Sequence, residues 1–411
     1  MCYAGEMPRF EAFPGLRYDD DAARLADVVA PPYDVVDEQD REKLAARSPY
    51  NAIHIELPTD DTAHGQDRYA HAAALLETWE REGALRRDDV PSLYVYRMRF
   101  TAEDGRELSS TGVIGALGLD AAGGSEVLPH ERTMPKPKGD RLDLLRACRA
   151  NLSPIWALSL ADGLAQACIR AIGDVAAPMS ATDDEGIVHE LWPVVDPEAI
   201  AEITGLVATT PVVIADGHHR YETATFYRAE RRAANGDQPG DYDLVMALIV
   251  ELSEEELFVR PIHRLVSGMP EGFDFAGALA GLVEVQPGPA ETPALVAAMS
   301  EVGALGLVST KGNYLLVPRP ELDEAAEADL DSSRLDAALA GLPAHEVTYQ
   351  HGANLAARAV ERGRAQAAFL LRPATVQQIA ETASSGRRMP PKTTFFHPKP
   401  RTGMVFRTIA G

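Results

Sequence analysis

Apolar positions fall at helical spacing in some stretches and at every second position in others, the pattern of a chain that mixes helices and strands. Helical spacing predicts a helix over 38–46 with Asp37 as its N-cap, and Pro49-Tyr50-Asn51 breaks it. Ala52 to Leu57 alternates, which predicts a strand with Ile53, Ile55 and Leu57 on one face. A second helix is expected from Asp67 to Glu82, stopped at Gly83. Leu93–Phe100 and Leu108–Leu119 alternate as two strands joined by the turn at 103–106. A helix over about 141–150, with Asp140 as cap, comes next. Pro211–Ala215 reads as a short buried strand, Tyr221–Ala234 as a helix closed by Asn235-Gly236, and 242–252 with 257–261 as a hairpin. Beyond Phe273, Ala-rich helical pieces alternate with short strands such as Leu305–Ser309 and Tyr314–Val317. The fold class expected is α/β (α+β). The Gly/Pro-rich stretch Ser267–Gly272 marks the expected boundary between residues 1–270 and 271–411.

Composition narrows the picture in three ways. No apolar run reaches the roughly 18–20 residues that span a bilayer, and Met1–Phe10 lacks a basic region followed by an apolar run, so neither a membrane partner nor a secretory signal is expected. Cys2, Cys148 and Cys168 are odd in number and form no C-x-x-C pair, which argues against a disulfide framework or a zinc knuckle and for a cytoplasmic location. A net charge of −23 disfavours nucleic acid as a partner, because affinity for it rests on many Lys and Arg contacts to phosphates.

The densest chemistry lies in Ala215-Asp216-Gly217-His218-His219-Arg220-Tyr221, a strand-to-helix junction. Gly217 permits a sharp turn and close approach of a ligand. A helix starting near His218 offers unpaired N–H groups and a positive dipole end to an anion. Arg220 adds a planar fork for two oxygens, and His218 and His219 can donate to oxyanions or move protons. Asp216 is suited either to hold Mg²⁺ or to cap the helix.

The box A-D-G-H-H-R-Y-E-T-A (215–224) resembles the second conserved box of the ParB/sulfiredoxin-like superfamily, and its D-G-H-H-R form is most similar to the ParB-like free serine kinases. Over nearly its whole length the chain also resembles domain-of-unknown-function family 1015. The matching pieces are F-P-G-L-R-Y (13–18), A-P-P-Y-D-V-V (30–36), L-P-H-E-R-T-M (128–134), D-R-L-D-L-L-R-A-C-R-A-N-L-S-P-I (140–155), the box itself and M-P-P-K-T-T-F-F-H-P-K (389–399). The superfamily resemblance implies a ParB/sulfiredoxin-like core, split by a large insertion at roughly 58–205 and followed by a C-terminal α/β extension. It implies a nucleotide, ATP or ADP, with Mg²⁺ as cofactor, phosphates cradled by Gly217, His218, His219 and Arg220, and Asp216 on the metal. It also implies that Asp34, after Pro32-Tyr33, is a general base, although the kinases carry Glu there and no extra residue after the proline. His218, His219 and Glu56 are the alternatives for that role.

Three further groups are candidate clamps for a phosphate or a phosphorylated substrate: His130, Glu131 and Lys138 in a Pro-stiffened loop, Arg146 and Arg149 three apart on one helix, and Lys392 beside two threonines. The functional expectation is phosphoryl transfer from a nucleotide to a small hydroxyl compound such as serine, with a phosphatase on a small phosphorylated metabolite or a non-catalytic nucleotide switch as alternatives.

Overall fold

A computed structural model describes residues 7–19, 23–102, 105–120, 124–129, 139–385 and 388–410, and in these the chain is mixed α/β. Local chemistry sets many of the elements. Asp37 accepts from the Asp40 amide at 2.8 Å and starts the helix Glu38–Ala45. Asp67 accepts from the amides of Tyr69 and Ala70, each at 2.9 Å, and starts Arg68–Arg81. Such caps contribute about 1 kcal/mol each.

The described residues form two compact units: 7–129, 139–258 and 398–410 make the first, and 259–397 the second. In the first unit a nine-stranded mixed sheet runs, in spatial order, Val127–Pro129, Val212–Asp216, Ile155–Ser159, Leu244–Glu251, Glu107–Gly118, Leu93–Thr101, Val188–Val194 and Met179–Thr182, with Phe10–Glu11 beside the end of Glu107–Gly118. Val212, Ile214, Ala247 and Ile249 face a core shared with Leu164 and Cys168 of one helix and Ala224 of another. The helices Gly139–Cys148 and His218–Ala234 meet through Leu145 and Tyr227, joined there by Ile409.

In the second unit, among the described residues, a seven-stranded sheet runs Val283–Pro287, Gly312–Pro318, Leu305–Ser309, Ala367–Leu370, Phe258–Ser267 and Glu346–His351, with Thr394–His397 also paired to Phe258–Ser267. Phe369, Phe275 and Leu307 are central to its core.

Three expectations are corrected. Residues 53–56 form a short helix rather than a strand: Ala52, Ile53, Ile55 and Glu56 are all buried, so alternation there does not mark one apolar face, and the Asn51 side chain takes the Ile53 amide at 2.9 Å. Leu244–Glu251 and Phe258–Ser267 are not a hairpin, because they belong to different sheets. Asp140 lies inside the first turn of its helix instead of capping it, held by Arg141 and by the Tyr69 hydroxyl. Residues 58–205 supply most of the strands of the sheet that holds the site strand, and the division between units falls after Phe258 with the last residues returning to the first unit.

Candidate functional site

The strand Val212–Asp216 is buried up to Ala215, and its register against Ile155–Ser159 shifts between Ile214 and Asp216. Such an irregularity re-aims a side chain at the end of a strand. Gly217 follows at φ 87°, ψ 26°, a left-handed conformation that glycine adopts without a steric penalty, and the helix His218–Ala234 begins with no side-chain cap. The first turn lies at the positive end of a 17-residue helix.

Asp216 stands between two cations. Its Oδ1 accepts from Lys399 Nζ at 2.5 Å and its Oδ2 from Arg220 at 2.8 Å. Burial pushes the Asp216 carboxyl up, but Lys399 and Arg220 outweigh it and hold the group below its ordinary range. Arg220 is fixed: one terminal nitrogen donates to the Pro154 carbonyl, the other to Asp216, and the guanidinium lies so close over Gly217 that a Cβ there would sit 3.0 Å from it. Its Nε is buried and has no hydrogen-bond partner among the described residues.

Beside this group lies a buried acid. Glu56, 3 % exposed, meets Ser153 Oγ at 3.2 Å and lies 3.8 Å from Arg141, which also donates to the Glu56 carbonyl at 2.7 Å. Burial raises the Glu56 carboxyl, against the pull of Arg141 and Arg220. Glu56, Arg141, Ser153, Arg220 and Thr223 line a cavity of about 60 Å³. Arg141 also stacks 4.6 Å from the Tyr33 ring centre and lines a second cavity of about 500 Å³ with Arg41 and Arg68. Asp34 sits exposed in the turn Tyr33–Val35, close enough for its charge to act on Arg220 and Glu56.

The geometry thus gathers Asp216, Gly217, Arg220 and the start of the helix bearing His218 and His219, whose Nδ1 is 3.9 Å from Glu222, while Asp34 acts on Arg220 by its charge. Arg146 is paired with Glu230 and Asp143, and Arg149 follows the helix end at Cys148 at φ 47°, so the two do not share a helix face. Lys392 is exposed at φ 60° in the second unit. His130, Glu131 and Lys138 lie outside the described residues.

The residues around Asp216 do not fit a divalent cation. Both carboxylate oxygens already serve cations, and no group of three His, Cys, Asp or Glu among the described residues is arranged to hold a metal. Sequence reasoning missed Lys399 and Arg141. Lys399 ended one of the blocks carrying the family resemblance, and that was the available signal.

The chain matches the family described as "Protein of unknown function (DUF1015)" over residues 10–338, and it belongs to that family. None of the curated proteins matches the sequence. Among solved structures it is similar to a conserved hypothetical protein from Pyrococcus furiosus, at 14 % identity and TM-score 0.36, over 68 % of this chain and 90 % of that one. A free serine kinase in complex with AMP aligns at 14 % identity and TM-score 0.36, over 69 % and 88 %. C-terminally truncated SbnI from Staphylococcus aureus aligns at 12 % and 0.37, over 71 % and 86 %. At these TM-scores the likenesses carry no argument about fold or activity.

Proposed function

We propose that this DUF1015 member binds ATP or ADP by its phosphates at Asp216–Arg220 and transfers a phosphoryl group to a small hydroxyl compound. The observation that supports this most is the helix start after Gly217, where the Asp216 carboxylate accepts from both Lys399 and Arg220. Two cations at the positive end of a helix suit an anion. The resemblance of the D-G-H-H-R box to the free serine kinases supplies the nucleotide.

Catalysis of phosphoryl transfer is mostly positioning and charge neutralisation. In this reading the helix start and its cations hold the phosphates. Asp34, exposed and close to Arg220, accepts the proton of the acceptor hydroxyl. The hydroxyl oxygen bonds to the terminal phosphorus as the bond from that phosphorus to its bridging oxygen breaks, and the shortened nucleotide leaves with the bridging oxygen. The larger cavity, bordered by Arg41, Arg68 and Arg141, gives the acceptor room beside the turn that carries Asp34.

The test is nucleotide turnover by the full chain with a panel of small hydroxyl compounds. Turnover that depends on one acceptor supports the transferase. Turnover without any acceptor points to a hydrolase, and nucleotide binding without turnover to a switch.

A further inference from the structure

We infer that the second unit, independently of the phosphate site, binds a small zwitterion of the amino-acid class, with its carboxylate on Arg334 and Arg372 and its ammonium on Asp323 and Asp329. These four side chains and Asp331 line a cavity of about 540 Å³, and all of them belong to residues 259–397. Sites for small molecules fall in this size range, and a few fixed polar groups within them decide what is bound.

Asp331 organises the cationic side. It opens the helix Asp331–Ala340 and is buried, and its carboxylate accepts three hydrogen bonds from Arg372: from the amide at 2.9 Å, from Nε at 3.0 Å and from Nη2 at 2.6 Å. Arg334, whose side chain is 14 % exposed, is fastened through two other nitrogens: Nε donates to Asp323 at 2.6 Å and Nη2 to Asp329 at 2.5 Å. Its Nη1 stops 3.6 Å from the same Asp331 oxygen that Arg372 Nη2 reaches, beyond a hydrogen bond. Two guanidinium groups therefore converge on one carboxylate oxygen. Each keeps one terminal nitrogen, Nη1, without a hydrogen bond among the described residues. Arg372 Nη1 lies at the cavity wall beside Gly303, where a Cβ would come within 3.4 Å of it. Both side chains are already immobilised through their other atoms, so a carboxylate that takes the two free nitrogens has neither to order.

The anionic side is built on the same arginine. Asp323 and Asp329 each give one oxygen to Arg334 and keep the other without a hydrogen bond among the described residues, and their side chains are 48 % and 77 % exposed. Acceptors for an ammonium thus sit on the guanidinium whose Nη1 is a free donor for a carboxylate. A free amino acid carries both groups on one carbon. A simple anion would meet these two acids as like charges, and a simple cation would leave both Nη1 nitrogens unmet.

The experiment is calorimetric titration of the full chain with the common free amino acids, with thermal unfolding of each variant alongside. Each amino acid that binds is followed by its deaminated acid and its decarboxylated amine, and inorganic phosphate serves as the simple anion. At least one amino acid is expected to bind, and removing either of its charges should weaken binding by about tenfold or more, the loss of a charged hydrogen bond. Arg372→Lys keeps a cation beside Asp331 but lacks the second fork nitrogen. Asp329→Asn removes an exposed carboxylate and leaves Arg334 on Asp323. Each variant should weaken the amino acid by about tenfold or more. A site in the first unit would feel neither substitution, so wild-type affinity in either folded variant overturns the inference. No binding by any amino acid overturns it as well, and so does phosphate binding as tight as the amino acid. If Arg372→Lys does not fold, Asp329→Asn decides by the same comparison.

Discussion

Asp216 and Asp183 are two carboxylates withdrawn from solvent in the same unit, each met by a cation from the same C-terminal segment, yet they are balanced differently. Asp183 accepts from Arg401 Nε at 3.0 Å and meets His189 Nε2 at 2.9 Å, while His189 Nδ1 meets the Tyr96 hydroxyl at 2.7 Å. Burial lowers the His189 pKa against the pull of Asp183, and Glu185 lies 3.9 Å from the Arg401 guanidinium. The polar groups form a relay: the Arg401 amide donates to Tyr96, Tyr96 to His189, and His189 to Asp183. The Asp216 carboxylate accepts from two cations, Asp34 and Glu56 also act on Arg220, and Arg220 Nε has no partner among the described residues. A closed network fastens the chain to itself. One with a buried donor still unsatisfied keeps capacity for a ligand.

The largest expected effect tests whether the open cluster serves chemistry. Asp34→Asn keeps the shape of the side chain and removes its capacity to accept a proton. Single-turnover rates at saturating nucleotide should fall by about 10²–10⁴-fold, with nucleotide affinity retained. A rate close to wild type would move the base elsewhere, and Glu56→Gln is the variant to measure next, because burial already raises that carboxyl.

Removing the carboxylates themselves sharpens the contrast. Asp216→Asn and Asp183→Asn each leave a cation without its partner, and each should lose about 3–5 kcal/mol in denaturant unfolding. Inorganic phosphate should restore stability to Asp216→Asn, because an anion can take the vacated place between Lys399 and Arg220. It should leave Asp183→Asn unchanged, since that cluster is closed. Equal rescue of both variants, or of neither, would erase the distinction drawn between the two clusters.

The local half of this site was legible in the sequence and the non-local half was not. Asp216, Gly217 and Arg220 lie within five consecutive residues, where a strand period gives way to a helix period around a glycine. Lys399 joins them across 183 positions, and no pattern of neighbours announces that. Lys392 drew attention because two threonines follow it, but Thr393 spends its hydroxyl on the Pro390 carbonyl and on Ser332. The same division holds for the fold. The paired strands Leu93–Thr101 and Glu107–Gly118 and the capped helix Arg68–Arg81 are set by adjacent residues. The short helix at 53–56 depends on burial from every side, and the separation of Leu244–Glu251 from Phe258–Ser267 depends on which sheet each joins.

The comparison extends to the second unit through pH. Burial lowers the His263 pKa from 6.5 to about 4, and its Nδ1 accepts from the Leu371 amide at 3.2 Å, a bond that the protonated ring cannot accept. The unfolded chain therefore binds this proton at a higher pH than the folded one. Stability is full above pH 6.5 and falls as pH drops toward 4, by up to about 3 kcal/mol from this residue. His189 in the closed cluster shifts the same way. His263→Asn should flatten the pH dependence of unfolding in that window, and an unaltered curve would show that His263 is not its source.

The smallest effect isolates the contact that fixes Arg220. Gly217 and Gly163 both start helices of the first unit at φ 87°, with ψ 26° and 5°. Alanine at either position pays the left-handed strain, about 1–2 kcal/mol. They differ in what the new methyl group meets. At Gly163 nothing lies within 4 Å, whereas at Gly217 the methyl lies 3.0 Å from Arg220 Nε. A free arginine would swing aside at almost no cost, but this one is held by Pro154 and Asp216. Gly217→Ala should therefore cost more than Gly163→Ala in equilibrium unfolding, by roughly 0.5–1.5 kcal/mol, the range of one hydrogen bond weakened. Truncating the arginine removes the obstacle, so in an Arg220→Ala background the two alanine substitutions should cost the same. If Gly217→Ala exceeds Gly163→Ala by the same margin in that background, the guanidinium is not what limits the turn, and Arg220 is free to leave Asp216 for a ligand.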